Sequence, residues 1–210
     1  MKIRLDYILI SGVSTNCYLL INEDSSDAVL IDPAADASAI REMLQRNKCR
    51  LSAVLLTHGH YDHIGAAERI KDEYGVKVYA GEQEKELLAD PYMNLSGHMD
   101  RENITLSADE WLSDGQHISP AGFDILAIHT PGHTEGGMSY YVEEAGILFS
   151  GDTLFEGSVG RTDFATGSFS KIVSSIKGKL FKLPDDTKVF PGHGDCTTIA
   201  DEKKYNPFCQ

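Results

Sequence analysis

The chain has 210 residues, of which 41% are hydrophobic and 24% are charged, as is typical of one globular domain. Its formal charge is −13, from 19 basic and 32 acidic residues, and it has no basic run, so nucleic acid is not an expected partner. No stretch approaches the roughly 18 consecutive apolar residues of a membrane span, and we expect no insertion into a membrane.

The amino terminus and the cysteines both favour a cytoplasmic location. Asp6 interrupts the apolar run of "MKIRLDYILI", and no small-residue cleavage site follows, so export is not expected. The cysteines form no CxxC pair and no spacing typical of a disulfide framework, which suits a reducing compartment. They are Cys17, Cys49, Cys196 and Cys209.

The first half of the chain predicts a layered α/β arrangement. Three β-prone runs open it, and from residue 28 to residue 80 strands alternate with amphipathic helices. The predicted strands are "MKIRLDYILI", "TNCYLLIN", "AVLIDP", "LSAVLLT" and "VKVYA", and the predicted helices are "ADASAIREMLQRN" and "GAAERIKDEYG". Asp36 or Ser38 is the expected N-cap of the first helix, and Gly75 is the expected C-cap of the second.

The second half is richer in strands. Residues 81–90 predict a short helix, and residues 91–118 carry mostly turn signals, which is typical of a long connection that borders a site. The later strands are "FDILAIHT", "MSYYV", "GILFS" and "TKVF", with one helix over "GSFSKIVSSIKGKLFKL" before the last. Two sheet-rich halves flanked by helices are compatible with a sandwich.

Polar groups that can bind a metal follow four of these strands. Strand ends hold such groups firmly while the adjoining loops stay open to solvent. Imidazole and carboxylate ligands without cysteine suit zinc, iron or manganese. Seven candidates exceed the ligands that one tetrahedral ion takes, so we expect two ions, with Asp152 as a reasonable bridge. The seven are His58, His60, Asp62, His63, His133, Asp152 and His193.

The remaining candidates have competing interpretations. We expect His98, His117 and His129 to be ordinary core or surface histidines. Asp32 ends the strand "AVLID", where it either supports a metal ligand or is a plain turn residue before proline.

The motif "THGHYDHIG" matches the T-H-x-H-x-D-H-x-G signature of the metallo-β-lactamase superfamily, and "TPGHT", "FSGDTLF" and "PGHG" resemble its remaining metal motifs in the expected order. This resemblance covers essentially the whole chain. It implies an αββα sandwich, a single domain over residues 1–210, with its site at one edge between two sheets. It also implies the ligand sets: His58, His60 and His133 for the first ion, Asp62, His63 and His193 for the second, and Asp152 bridging both.

The stretches "GDTLFEGSVGRTDF" and "PGHGDCTTIADEKKYNPF" resemble the hydroxyacylglutathione hydrolase (glyoxalase II) branch, in particular its short bacterial members. That resemblance implies hydrolysis of a thioester, S-lactoylglutathione or a related acyl-thiol, by a hydroxide that bridges two divalent ions. Zinc is the expected metal, with iron or manganese as alternatives. Asp62 and Asp152 are the candidate catalytic residues. Arg161 is the candidate substrate-binding residue, with an ion pair to Asp163 as its alternative role.

Two departures leave the substrate open. Asp163 replaces an aromatic residue that contacts the ligand in glyoxalase II, and only 17 residues, 194–210, follow His193, so the helical domain that completes the glutathione pocket is not expected. A persulfide dioxygenase with one iron shares most ligands and a stretch like residues 160–164. A lactonase is a further alternative. A non-catalytic binding module would have lost ligands, whereas all seven are present. The sequence gives no indication of the oligomeric state.

Overall fold

The computed structural model describes residues 1–99 and 103–210, and all structural statements concern these ranges. The strands are β1 (Ile3–Ile10), β2 (Thr15–Asn22), β3 (Asp27–Ile31), β4 (Arg50–Leu55), β5 (Lys77–Gly81), β6 (Glu110–Leu112), β7 (His117–Ile118), β8 (Ile125–His129), β9 (Met138–Val142), β10 (Ile147–Gly151), β11 (Leu154–Phe155), β12 (Ser158–Val159), β13 (Lys188–Pro191) and β14 (Thr197–Thr198). The α-helices are α1 (Ala37–Asn47), α2 (Tyr61–Ile64), α3 (Ala67–Tyr74), α4 (Lys85–Ala89), α5 (Phe169–Gly178) and α6 (Ile199–Tyr205). Short 3₁₀ helices cover Glu82–Glu84, Ser96–His98, Pro120–Gly122, Glu143–Ala145 and Leu180–Lys182.

Twelve of the fourteen strands in the described ranges form two sheets. The first has the order β1-β2-β3-β4-β5-β6, antiparallel from β1 to β3 and parallel from β3 to β6. The second has the order β14-β13-β10-β9-β8-β7, in which only β10 and β13 pair in parallel. β11 and β12 form a separate hairpin, the 154–159 hairpin.

Helices cover the outer face of each sheet, which makes the architecture an αββα sandwich. Side chains such as Leu20, Leu55 and Phe149 fill the space between the sheets. On the outer face of the first sheet, Leu30 packs with Ile40 of α1. A third cluster joins the second sheet to α5 and α6. Because both faces of the central strands are buried, their sequences read as continuous apolar runs rather than as an alternation. The predicted fold is confirmed.

Local signals account for the helix ends. The side chain of Asp36 accepts a hydrogen bond from the backbone N–H of Ala39 and caps α1, as predicted. Gly75 ends α3 in the left-handed conformation with φ of 64°. The predicted helix over 81–90 begins as a 3₁₀ turn and continues as α4. Within the described ranges, no helix combines the length and apolarity needed to cross a membrane.

The long connection over 91–118 is mostly turns, as predicted, but it also contains β6 and β7, which sequence patterns did not show. Residues 100–102 of this connection lie outside the described residues. Elsewhere, β8, β10 and β13 run in the same direction, so their carboxyl ends meet at one edge of the second sheet. The candidate ligands that follow β4, β8, β10 and β13 converge at this edge.

Candidate metal centre

The candidate ligands fall into three overlapping groups, and within each group the ligand atoms lie within 4.8 Å of one another. The groups are His58, His60 and His133; His58, His63 and Asp152; and Asp62, His63 and His193. We call the first of these the three-histidine group and the last the Asp62 group. The histidines of the first group are almost fully buried, whereas the side chain of His193 is 28% exposed. The Asp62 group therefore lies closer to solvent.

The HxHxDH segment directs its four candidate ligands to two different groups because its backbone changes conformation at His60. β4 ends at Leu55, the chain is extended at His60, and helix α2 begins at the next residue. The turn directs the side chains of His58 and His60 toward His133, and the helix directs Asp62 and His63 toward His193. This is the division that the sequence predicted for these four residues.

Hydrogen bonds at Nδ1 fix the tautomers of four histidines. His63 donates to Oδ2 of Asp32 at 2.8 Å, and His133 donates to the carbonyl oxygen of Arg161 at 2.7 Å. His193 donates to the carbonyl oxygen of Ser14 at 2.8 Å. Nδ1 of His58 lies 3.2 Å from the hydroxyl of Thr57, which itself donates to Asp32. In the neutral imidazole with its proton on Nδ1, Nε2 carries a lone pair, and the Nε2 atoms of these four histidines face the centre, where they can bind a metal.

The ring nitrogens of the candidate ligands crowd one another at the centre. Nε2 of His63 and Nε2 of His193 lie 3.3 Å apart, and Nδ1 of His60 lies 2.9 Å from Nε2 of His133. Among the described residues, buried Nε2 of His58 and buried Oδ1 of Asp152 have no hydrogen-bond partner. Buried acceptors are normally satisfied, and divalent cations satisfy several at once. The residues present therefore fit a divalent metal centre.

Asp152 lies between the three-histidine group and the Asp62 group. Its Oδ1 is 3.4 Å from Nε2 of His63, and its Oδ2 is 3.6 Å from Nε2 of both His133 and His193. Gly192 makes this position accessible, because a Cβ atom there would lie 2.3 Å from Oδ1 of Asp152. The carboxylate thus occupies the place that a bridging ligand requires, and bridging remains a prediction.

The electrostatics of the centre leave His58 and His60 neutral and Asp152 ionised, whereas they favour the protonated form of His63. Burial lowers the pKa of His60 to about 3, with a further contribution from His133, and burial likewise lowers the pKa of His58. Burial would also lower the pKa of His63, but the carboxylates around it, Asp152 first, raise it well above its usual value. Burial alone would raise the pKa of Asp152, but the nearby His63 lowers it by more. The pKa therefore lies below its usual value, and this carboxylate is ionised.

Two buried carboxylates support the ligands from behind. Asp32 is 2% exposed and accepts hydrogen bonds from Thr57 and His63, so the supporting role that the sequence left open is the one observed. Sequence patterns did not single out Glu84. This residue is only 1% exposed, and its carboxylate accepts hydrogen bonds from the loops around the three-histidine group. One signal was available: Glu84 precedes Leu87 and Leu88 by three and four residues, which places it on the apolar face of its helix.

A cavity of about 560 Å³ opens onto the metal centre. Its wall includes Arg161, whose guanidinium donates two hydrogen bonds to Asp163, at 3.0 and 2.8 Å, and lies 4.2 Å from the ring centroid of Phe164. Phe164 in turn packs edge-on against His60, with centroids 5.2 Å apart. Residues 160–164 therefore form both a wall of the cavity and a support for the ligands.

The three other histidines differ in position. His117 is exposed and pairs with Asp124 at 2.7 Å, and His129 bonds through Nε2 to the carbonyl oxygen of Glu135, as ordinary surface histidines do. His98 instead lies on the wall of the cavity over the metal centre. Its place there depends on the long connection of residues 91–118, whose path the sequence did not predict.

Several known proteins are similar to this chain in sequence and fold. The family model described as the metallo-β-lactamase superfamily matches residues 10–193. Hydroxyacylglutathione hydrolase GloC of Haemophilus influenzae is 35% identical, over 98% of this chain and 97% of GloC. Among solved structures, BLEG-1 B3 metallo-β-lactamase is 39% identical with a TM-score of 0.92, over 98% of this chain and 99% of that one. TTHA1623 in a di-iron-bound form is 31% identical with a TM-score of 0.85, over 97% and 99% of the two chains.

The αββα fold, its edge cluster of histidines and aspartates and the similarity to proteins named hydrolases together identify a metal-dependent hydrolase. The chain belongs to the metallo-β-lactamase superfamily, and its features fit a short bacterial member of the glyoxalase II type.

Proposed function

We propose that the protein is a dinuclear metal-dependent thioester hydrolase that acts on S-lactoylglutathione or a related acyl-thiol. The observation that carries the proposal is the convergence of imidazole nitrogens and carboxylates at one edge of the sandwich, where Oδ1 of Asp152 has no hydrogen-bond partner among the described residues. Similarity to GloC, whose name states that it hydrolyses hydroxyacylglutathione, supports the substrate class.

In this proposal the two ligand groups hold two divalent ions, with zinc first and iron or manganese as alternatives. The three-histidine group (His58, His60 and His133) holds one ion, and the Asp62 group (Asp62, His63 and His193) holds the other. The carboxylate of Asp152, which lies 3.4 Å from Nε2 of His63 and 3.6 Å from Nε2 of His133, would be a ligand shared by both ions. When bound, such a pair of ions supplies a water of lowered pKa and a site for negative charge on a carbonyl oxygen.

The chain's own residues then prepare the reaction. Burial raises the pKa of Asp62, but His63 and His193 lower it more, so Asp62 stays ionised and can orient the attacking water and accept its proton at a carboxylate oxygen. A thiolate leaves more easily than an amine because the thiol pKa is only about 8.5, so the site needs no strong acid. Arg161 lies on the cavity wall, where its cation can meet an anionic part of the substrate.

The cysteines fit a cytoplasmic enzyme. All four lie in the described ranges and all four are free thiols. Cys196 is exposed, and an exposed thiol persists best in a reducing compartment. We propose the cytoplasm as the site of action on the basis of this cysteine usage.

The decisive experiment is a hydrolysis assay on S-lactoylglutathione, simple lactones and a cephalosporin, each with and without chelator. The cephalosporin is included because the chain is similar to a protein named a metallo-β-lactamase. We expect thioester turnover that chelation abolishes and added zinc restores. Absence of chelator-sensitive turnover of any thioester would overturn the proposal. One iron per chain together with oxygen uptake on glutathione persulfide would also overturn it, in favour of a dioxygenase.

A further inference from the structure

Glu84 connects two loops that carry the three-histidine group. Its Oε2 accepts a hydrogen bond from the backbone N–H of Gly59 at 2.8 Å. Its Oε1 accepts from the backbone N–H of Gly136 at 2.9 Å and from the hydroxyl of Thr134 at 2.5 Å. Gly59 lies between His58 and His60 in the chain, and Thr134 directly follows His133. One carboxylate therefore spans both segments of chain that supply this group.

The segments pack so closely that no side chain separates them. A Cβ atom at Gly59 would lie 2.7 Å from a methyl of Leu87 and 3.0 Å from Oε2 of Glu84. A Cβ atom at Gly136 would lie 2.3 Å from the backbone nitrogen of Glu84. Backbone N–H groups can reach the carboxylate only because both positions are glycine. The contact is thus a tight junction of main chain and carboxylate.

The junction requires an acceptor on both oxygens. All three partners donate, and a carboxylate has enough lone pairs for all of them. A glutamine of the same shape would turn an NH₂ group toward at least one N–H or O–H donor and leave that donor unsatisfied. In the described part of the chain, the side chain of Glu84 makes no hydrogen bond to a histidine, so any effect on the metal must pass through the two loops that it connects.

We propose that Glu84 is a positioning residue of the metal centre, which sets the distance between the His58–His60 loop and the His133 loop and thereby the affinity of the three-histidine group for its ion. The inference rests on the proposed function, because it assumes that this group binds a metal. It does not extend to the Asp62 group, whose histidines are oriented by Asp32 and Ser14 instead.

The test compares Glu84→Gln with Glu86→Gln, a matched control two residues further on, in the adjoining helix α4, whose side chain is exposed. Metal-free protein is titrated with zinc by calorimetry, and with cobalt while the absorption spectrum is recorded. In Glu84→Gln we expect the affinity for one ion to fall about 10- to 100-fold, as for other residues that orient ligands, and the affinity for the other to stay unchanged. The control should bind both ions as the wild type does.

The outcomes separate this inference from the proposed function. A wild type that binds no second ion contradicts the dinuclear site itself. The positioning role is overturned if the wild type binds two ions and Glu84→Gln either keeps both affinities or loses both equally. If Glu84→Gln does not fold, Thr134→Val removes one donor and leaves the carboxylate in place. That variant should weaken the same single ion by a smaller factor, and unchanged binding there would overturn the inference.

Discussion

Nδ1 of His63 donates a hydrogen bond to Oδ2 of Asp32, and the two atoms lie 2.8 Å apart. The same oxygen accepts the hydroxyl of Thr57 at 2.6 Å, and that hydroxyl lies 3.2 Å from Nδ1 of His58. His58 belongs to the three-histidine group and His63 to the Asp62 group. One buried carboxylate therefore orients imidazoles in both groups.

Replacing Asp32 by asparagine should weaken metal binding about 10- to 100-fold. The amide would place a donor opposite Nδ1 of His63 and favour the tautomer whose Nε2 carries the proton, so its lone pair would no longer face the centre. Competition with a chromophoric chelator measures the affinity directly. Asp72→Asn, at an exposed carboxylate, is the control. Equal zinc affinity in Asp32→Asn and the wild type would contradict this account.

Removal of metal should destabilise the fold as well as abolish activity. Nε2 of His63 and Nε2 of His193 lie 3.3 Å apart, and buried Oδ1 of Asp152 has no hydrogen-bond partner among the described residues, so a cation that binds these atoms should stabilise the fold. Zinc at about 1,000 times its dissociation constant adds about 4 kcal/mol, which for a chain of this size raises the melting temperature by about 10 °C. Differential scanning fluorimetry in zinc buffers measures this shift. Chelator already saturated with zinc should have no effect, and a melting temperature independent of free zinc would refute a metal centre.

The sequence was sufficient to predict where the candidate ligands meet. His133, Asp152 and His193 each follow a strand with an uninterrupted apolar run, and strands of this kind are specified by local pattern and burial. Their shared edge follows from the common direction of those strands. The motif at 58–63 supplies the remaining candidate ligands. Its turn, followed at once by helix α2, directs them to the same edge.

Contacts between segments that lie far apart in the chain could not be predicted from the sequence. The backbone N–H of Gly157 bonds to Glu202, 45 residues away, and nothing in either local sequence indicates that pairing. β7 and β14 have two residues each, too few for a periodicity. The position of His98 over the cavity likewise depends on how a long connection folds back on the core. Such features follow from tertiary packing, which local propensity does not encode.

The stability of the metal-free protein should carry a pH signature of Glu84. Burial raises the pKa of this carboxyl from 4.5 to about 7 in the folded state. Between these values the folded state keeps the proton that the unfolded chain has lost, so the contribution of Glu84 to the free energy of unfolding falls as pH rises and is constant above about pH 7.

The free energy of unfolding of the wild type minus that of Glu84→Gln should therefore decrease by about 3 kcal/mol from pH 4.5 to about 7. Urea denaturation at a series of pH values measures the difference. The difference in the free energy of unfolding between the wild type and Glu86→Gln should not change with pH, because the side chain of Glu86 is exposed. A difference for Glu84→Gln that does not change with pH would show that its carboxyl titrates normally.

The 154–159 hairpin should control substrate affinity through helix α6. Asn206 is fully buried and donates to the carbonyl oxygen of Ser158, while Glu202 accepts from the N–H of Gly157. The hairpin carries Phe155 to the cavity wall. Asn206→Ala should cost about 1–3 kcal/mol of stability and raise KM for the acyl-thiol, because the hairpin loses its anchor. Bound metal should remain at wild-type stoichiometry, since the hydrogen bonds of Asn206 within the described ranges go to residues other than the candidate ligands. Lys204→Ala, at an exposed position of α6, should change neither quantity, and loss of metal from Asn206→Ala would contradict the assignment.

Arg161 has two separable roles. Its carbonyl oxygen accepts the Nδ1 hydrogen of His133, whereas its guanidinium pairs with Asp163 over Phe164 at the cavity wall. Arg161→Lys keeps the backbone contact and one positive charge but loses the bidentate fork, so we expect KM for S-lactoylglutathione to rise about tenfold while kcat and metal content stay unchanged. Asp163→Asn frees the guanidinium for an anionic substrate and should leave KM equal or lower. Steady-state kinetics and metal analysis of both variants provide the measurement. An unchanged KM in Arg161→Lys would mean that the arginine only closes an ion pair with Asp163, because a side chain that contacts substrate anions cannot lose its fork without weakening that binding.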